Sequence, residues 1–295
     1  MKALVYGGTG AQGSVVVHTL LAKGHEAFVL SRDGSKGKEL EEAGAKIVIG
    51  NTDNLESLIA ASRGMDAISL MTPIFTDVNP GTAAKNAIKA AQEAGVDFIV
   101  WNTSGQAPDH EVGNPLLDHQ KTTTELLAKS GLKYIKLVPT IYAENLLGPY
   151  TAPFVAKENK LTYPAPEDME INWMPMVDLG NITVAAIERP ELSGKTFAIG
   201  STERLDGAGL ANAFGEGLGR SIQYEVMSTQ QFGEILNEAF GPGAGDAIAK
   251  DYQRFQDDPS ARGAWKIDTR PMQEAFGVKT TPIAEWVNGY AHIFT

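Results

Sequence analysis

Lys2-Ala3-Leu4-Val5-Tyr6 runs directly into Gly7-Gly8-Thr9-Gly10-Ala11-Gln12-Gly13. The first five residues read as a short buried strand. The apolar positions after the glycines, Val16, Val17, Leu20 and Leu21, recur at helical spacing. Strand, glycine turn and helix in immediate succession form the setting that a dinucleotide fingerprint requires. Gly8, Gly10 and Gly13 satisfy G-x-G-x-x-G, and Gly7, Gly10 and Gly13 satisfy the variant G-x-x-G-x-x-G. In either register one glycine permits the tight turn. Another lets the backbone approach a pyrophosphate, and a third lets helix and strand pack closely. The helix N-terminus then offers N–H groups and a partial positive charge to the phosphates. All of Gly7 to Gly13, with Thr9, Ala11 and Gln12, are expected at the cofactor.

Outward from this stretch the pattern repeats. Strands are expected at 27–30, 46–49, 67–71, 98–101 and 134–138. Helices are expected to end near Ala43 and to cover 55–61, 82–94 and 118–130. Such alternation predicts an α/β fold of Rossmann type, a doubly wound parallel sheet with helices on both faces. Ligands on these sheets sit at the carboxyl ends of the strands. The loops to watch therefore begin at Gly7, Ser31, Gly50, Thr72, Asn102 and Pro139. Past Pro139 the prolines 149, 153, 164, 166 and 175 interrupt the chain, as does Gly241-Pro242-Gly243-Ala244-Gly245. We divide the chain into a dinucleotide-binding domain, residues 1–139, and a smaller substrate lobe, residues 140–295. The boundary is soft, and residues 195–199 are a candidate strand to rejoin the main sheet.

Composition narrows the function. The 25 Lys and Arg against 36 Asp and Glu leave a net charge of -11, which argues against a nucleic-acid surface. With no cysteine, disulfides, thiolate nucleophiles and cysteine-ligated metals are excluded. No apolar run approaches the roughly 20 residues of a membrane helix. A soluble cytoplasmic protein is the expectation, with no membrane partner and with its oligomeric state left open.

The predicted second strand ends at Ser31-Arg32-Asp33, where the adenine ribose is read. An acidic residue there binds the 2′-hydroxyl of NAD, and an arginine accommodates the 2′-phosphate of NADP. Arg32, with Lys36 and Lys38 close behind, argues for NADP(H) over NAD(H); Asp33 argues the other way. Many reductases of this fold use a Tyr-x-x-x-Lys pair in which the lysine lowers the tyrosine pKa. None of the eight tyrosines has a lysine four residues on. The helix that would carry the pair contains Lys121, with Leu117 in the tyrosine position. Lys121 remains a candidate for the nicotinamide ribose, against the alternative of a solvated lysine paired with Glu125.

Several stretches together resemble the NmrA-like family of atypical short-chain dehydrogenases/reductases. They are Gly7 to Gly13 with its glutamine, Leu30-Ser31-Arg32, and Gly50-Asn51-Thr52-Asp53, in which Asn51 replaces the family's usual aspartate. His119-Gln120-Lys121 to Glu125, Ser130-Gly131-Leu132 and Val177-Asp178-Leu179-Gly180 also match. So does Val138-Pro139 to Glu144-Asn145-Leu146, with Val138 in place of arginine. The resemblance spans residues 1 to about 200. It implies an NAD(P)-binding Rossmann fold and one of two activities. The first is reduction of a quinone, enone or other conjugated aromatic compound by NADPH. The second is a non-catalytic NADP(H) sensor that acts on a protein partner. It also places Tyr142, Asn145, Trp173, Met174 and Met176 over the pocket, where they suit a flat apolar substrate, against the alternative that each packs in the core.

Thr72-Pro73-Ile74-Phe75 and Asn102-Thr103-Ser104-Gly105 follow the fourth and fifth strands and should flank the nicotinamide. Thr72, Pro73 and Thr103 are expected at the cofactor and Phe75 at the substrate. A hydroxyl at Thr103 or Ser104 is expected either to bond a substrate carbonyl or to cap its loop. For the reductase, Lys121 and Ser104 are the catalytic candidates. Tyr252 to Phe255 is read as a segment of a lid helix. His110 and His119, which lack metal-ligand spacing, are read as structural or solvent-facing.

Overall fold

Strands buried on both faces read as unbroken apolar runs. Phe98-Ile99-Val100-Trp101-Asn102 is such a run, and all five residues are buried in the computed structural model. The structure describes residues 1–72, 78–107, 110 and 115–295, without the side chains of 115–117. Pro73 and Phe75, expected at the cofactor and substrate, lie outside the described residues.

The chain opens as β1 (Lys2–Val5), α1 (Ala11–Ala22), β2 (Glu26–Ser31), α2 (Lys38–Glu42), β3 (Lys46–Ile49) and α3 (Leu55–Ser62). It continues with β4 (Ala67–Met71), α4 (Pro80–Ala94), β5 (Phe98–Asn102), α5 (Pro115–Lys129) and β6 (Lys133–Pro139). Next come α6 (Ala152–Glu158), β7 (Lys160–Tyr163), α7 (Met176–Ile187), β8 (Thr196–Ile199), α8 (Gly207–Leu218) and β9 (Gln223–Val226). The chain closes with α9 (Thr229–Phe240), α10 (Asp246–Asp257), α11 (Arg270–Phe276) and α12 (Ile283–Gly289). Seven parallel strands form the main sheet in the order β3-β2-β1-β4-β5-β6-β8. The order reverses between β1 and β4, and such a switch point is where open α/β sheets bind ligands.

The chain forms two compact units. One comprises residues 1–139, 176–199 and 270–278, and the other 140–175, 200–269 and 279–295. The sheet thus recruits β8, which pairs with β6 from Lys136↔Thr196 to Pro139↔Ile199. The core of the first unit includes Leu4, Ile68, Leu70, Ile99 and Trp101. Small residues on α4 (Ala83, Ala84, Ala87, Ala90 and Ala91) are buried on the inward side of that helix. α4 begins two residues earlier than its apolar pattern suggests. Asn79 caps it, accepting from the N–H groups of Gly81 and Thr82, and Pro80 occupies the first turn.

The second unit holds a two-stranded parallel sheet of β7 and β9 and an aromatic core. Tyr163 stands at its centre, edge-on to Trp173 at 5.1 Å and to Tyr252 at 5.6 Å between ring centroids. The Tyr163 and Tyr252 hydroxyls bond each other at 2.5 Å. α10, read from sequence as part of a lid helix, turns Tyr252 and Phe255 into this core and leaves its other positions half-buried or exposed. Among the described residues no helix is long and apolar enough to cross a membrane.

Candidate functional site

The glycine turn is folded tightly on itself. Gly7 takes φ +66°, and its carbonyl accepts from the Gly10 N–H at 2.9 Å. A Cβ on Gly13 would overlap the Gly7 carbonyl oxygen and lie 2.6 Å from Gly8 Cα. Only hydrogen fits there, and α1 thereby approaches the end of β1 closely. Side chains cap α3, α4, α8 and α9 through Asn54, Asn79, Asp206 and Ser228, whereas the N-cap of α1 is Gly10 and that of α2 is Gly37, each with no capping side chain. The first amides of α1 are thus left for a ligand to satisfy.

In front of this turn lies a cleft of about 260 Å³. Of the residues expected to hold cofactor, Gly7, Thr9, Gly10, Ser31, Arg32 and Lys36 line it. They are joined by Tyr6, Leu30, Asp33, Gly50, Asn51, Thr52, Met71 and Val78. These residues come from the ends of β1, β2, β3 and β4, on both sides of the switch point. Gly8 in the turn and Ala11, Gln12 and Gly13 at the start of α1 are not among the residues that line it. Gly8 is packed against the Val29 side chain, with room for no Cβ.

Arg32 and Lys36 are exposed, and among the described residues neither has an ion-pair or hydrogen-bond partner. Two unneutralised cations at the end of β2 suit a phosphate. Asn51 carries the signal that sequence reasoning passed over as a departure from pattern. Its Oδ1 is buried and unpartnered while the residue lines the cleft. A buried acceptor without a donor is costly, and a ligand amine would relieve it. The helix N-terminus, the glycine cradle, the two exposed cations and the orphaned acceptor together fit a dinucleotide.

The loop after β5 is bound to the glycine turn. Asn102 Nδ2 donates to Gln12 Oε1 at 2.9 Å, and the Ser104 hydroxyl donates to the same oxygen at 3.2 Å. Ser104 N–H bonds Asn102 Oδ1 at 2.8 Å, and Ser104 adopts φ +62°, a left-handed conformation rare for serine. The Thr103 hydroxyl bonds the carbonyls of Gly105 and Leu137, so it acts as the loop cap. Gln120, adjacent to Lys121 on α5, donates to the Thr103 carbonyl at 2.9 Å and ties that helix to the loop. Lys121 itself is half-buried, and Thr72 is buried at the end of β4. Asn102 and Gln120 lie in stretches the sequence singles out, but the bonds of their amides to Gln12 and to the Thr103 carbonyl are visible only in three dimensions.

In the second unit the structure brings Tyr142 and Met174 together. They form a bridge in which Ala143 N–H bonds the Met174 carbonyl and Met174 N–H bonds the Ile141 carbonyl, each at 2.9 Å. Asn145 follows in the short helix Ala143–Leu147, and Met176 is half-buried at the start of α7. Trp173 and Met174, expected to face a substrate, are only 1% and 0% exposed, and the Trp173 ring belongs to the aromatic core. His119, read as structural or solvent-facing, is 7% exposed with both ring nitrogens unpartnered, and burial pushes its pKa down.

Comparison with known proteins adds to this geometry. The NmrA-like family matches residues 1–287. An NAD(P)H azoreductase of Xenophilus azovorans is 28% identical over 249 residues, 83% of each chain. A photosystem II assembly factor of Synechocystis sp. is 27% identical over 305 residues, covering 98% of this chain and 90% of its own. The crystal structure of an NADPH-dependent quinone oxidoreductase from Escherichia coli, complexed with NADPH, superposes with a TM-score of 0.79 at 23% identity. That match covers the whole of both chains.

Proposed function

The chain belongs to the NmrA-like family, and from that premise we propose that it is an NADPH-dependent oxidoreductase acting on a quinone or other conjugated aromatic compound. The observation that carries this reading is the cleft at the switch point, with its glycine cradle and two unpaired cations. In it the amides of the turn and of α1 hold the pyrophosphate. Arg32 and Lys36 hold the 2′-phosphate, and Asn51 Oδ1 accepts from the adenine amine. Bound NADPH supplies the hydride. Lys121 anchors the nicotinamide ribose and stabilises negative charge that develops on the substrate oxygen. The Ser104 hydroxyl, now bonded to Gln12, assists at that oxygen once turned toward it.

A quinone suits this chain because its reduced oxygens take protons from solvent, so no Tyr-x-x-x-Lys acid is needed. The azoreductase and quinone oxidoreductase relatives support an acceptor of this flat, conjugated class.

A second reading is a nucleotide-dependent regulator of a protein partner. It is favoured by the burial of Trp173 and Met174, which leaves them little surface for a ligand. The assembly-factor relative, which spans nearly the whole chain, also supports it. The deciding experiment is titration with NADPH and NADH, then NADPH oxidation against quinones, azo dyes and enones with wild type and Lys121→Ala. Turnover that collapses in Lys121→Ala is the expected result. Tight NADPH binding without turnover on any acceptor would give preference to the regulator. Failure of both nucleotides to bind would overturn the reading of the cleft.

A further inference from the structure

Asp33 poses a problem for the cleft. It stands between Arg32 and Lys36, and all three line the groove. An acidic residue at the end of the second strand is placed to take a ribose 2′-hydroxyl and so to favour NAD. Its hydrogen bonds give it a different task. Asp33 Oδ1 accepts from the Ser35 N–H at 3.0 Å and from the Ser35 hydroxyl at 2.7 Å. An ionised carboxylate has about four lone-pair sites over its two oxygens, so one oxygen is filled by the residue's own turn.

The turn is pinned at its neighbour as well. Gly34 takes φ +75°, and its N–H bonds the Ser31 hydroxyl at 3.1 Å. The Ser35 bonds, chiefly the one from its hydroxyl, hold the Asp33 carboxyl below the usual carboxylate range. Neutral donors engage Oδ1, and the nearby charges of Arg32 and Lys36 also favour the ionised carboxylate without forming an ion pair with it. Both cations remain without an ion pair among the described residues.

We propose that Asp33 is a positioning residue that selects NADPH over NADH: by binding Ser35 rather than ribose, it folds the loop after β2 so that Arg32 and Lys36 present their charges to a 2′-phosphate. This rests on the reading of the cleft as a dinucleotide site.

Two variants separate the roles. Asp33→Asn and Asp33→Ala remove the same charge, but only asparagine keeps an acceptor for Ser35. Affinities for NADPH and NADH are measured by fluorescence titration for wild type and both variants, with thermal melting to confirm folding of this exposed loop. Asp33→Asn should bind NADPH at least as tightly as wild type. Asp33→Ala should bind it about fivefold more weakly than Asp33→Asn, the scale of one lost neutral hydrogen bond. NADH affinity should stay unchanged throughout. Equal NADPH affinity in the two variants would show that the turn has no such effect. A loss of NADH binding in Asp33→Asn would make Asp33 a ribose ligand. Either result overturns the proposal while leaving the cleft intact. Wild type that binds neither nucleotide overturns both, and is recognised before any variant is compared.

Discussion

Gly13 sits where any side chain would collide with backbone rather than with a movable neighbour, since its Cβ would meet the Gly7 carbonyl and Gly8 Cα. A flexible side chain could turn aside, but a peptide held by its own hydrogen bond to Gly10 cannot. Gly13→Ala must therefore pry α1 from the end of β1. The expected cost is about 1–3 kcal/mol of stability, as for other overpacked sites, with NADPH binding lost. Calorimetric titration beside a denaturation curve would check this. An alanine variant that binds NADPH like wild type would break the link between the cradle and the cofactor. His119 makes a prediction of a different kind. Its pKa is lowered from 6.5 by burial, so the folded state resists protonation. The unfolded chain takes up the proton first as pH falls below that ordinary value. The folded state then loses stability progressively until its own depressed pKa is passed. His119→Leu removes the titration and two unpartnered nitrogens. Melting curves between about pH 7 and pH 5 should show a shallower acid loss for the variant. An identical slope would refute the assignment to His119.

Elements position the cradle from behind as well as from in front. α1 is backed by α7, and Gly180 marks the point of closest approach. A Cβ there would lie 2.7 Å from the Val15 carbonyl oxygen and 2.7 Å from Thr19 Oγ1. The Thr19 hydroxyl already bonds that same carbonyl at 2.8 Å, so neither atom is free to retreat. Gly180→Ala should displace α1 along its length. NADPH affinity should then fall severalfold although the substitution is remote from the cleft, and a titration that returns the wild-type affinity would sink this idea. The strands of this unit were legible in sequence because burial on both faces leaves continuous apolar runs. Residues 46–49 and 67–71 are strands as read, and the other strand ends shift by a residue or so. The cleft loops after β1, β2 and β3 were legible because strand ends and glycines mark them. Trp173 and Tyr252 were not, since an apolar ring on a linear chain looks the same whether it packs on Tyr163 or faces a ligand. Asn51 was legible only as an irregularity, for an orphaned acceptor has no signature in one dimension.

On the scale of the whole molecule the chain crosses between its two units repeatedly, leaving after Pro139, returning at Met176 and returning again at Arg270. Pro139 and Pro175 stand at the first departure and the first return, and residues 195–199 were legible as a candidate strand to rejoin the sheet, where β8 pairs with β6. The second return, at Arg270, falls inside the stretch read as the substrate lobe. Charge is the property that all of these segments share. A net charge of -11 repels a dinucleotide of either kind, whereas on the proposed reading Arg32 and Lys36 attract the form with a 2′-phosphate more strongly. The two effects differ in range. The overall repulsion acts on NADPH and NADH alike, apart from the additional charge of the phosphate, and salt weakens it. The local attraction, on that reading, favours NADPH, acts between exposed groups, and is weakened by salt too. With a Debye length of about 10 Å at 0.1 M, exposed pairs are increasingly screened as salt rises. The preference for NADPH should therefore shrink as salt increases, even though relief of the general repulsion works in the other direction for both nucleotides. In Arg32→Ala the preference should be smaller at low salt and its salt dependence flatter. Titrating both nucleotides across a salt series would decide it. A wild-type preference that grows with salt would mean that the net field of the molecule, rather than the two cations at the end of β2, governs which nucleotide binds.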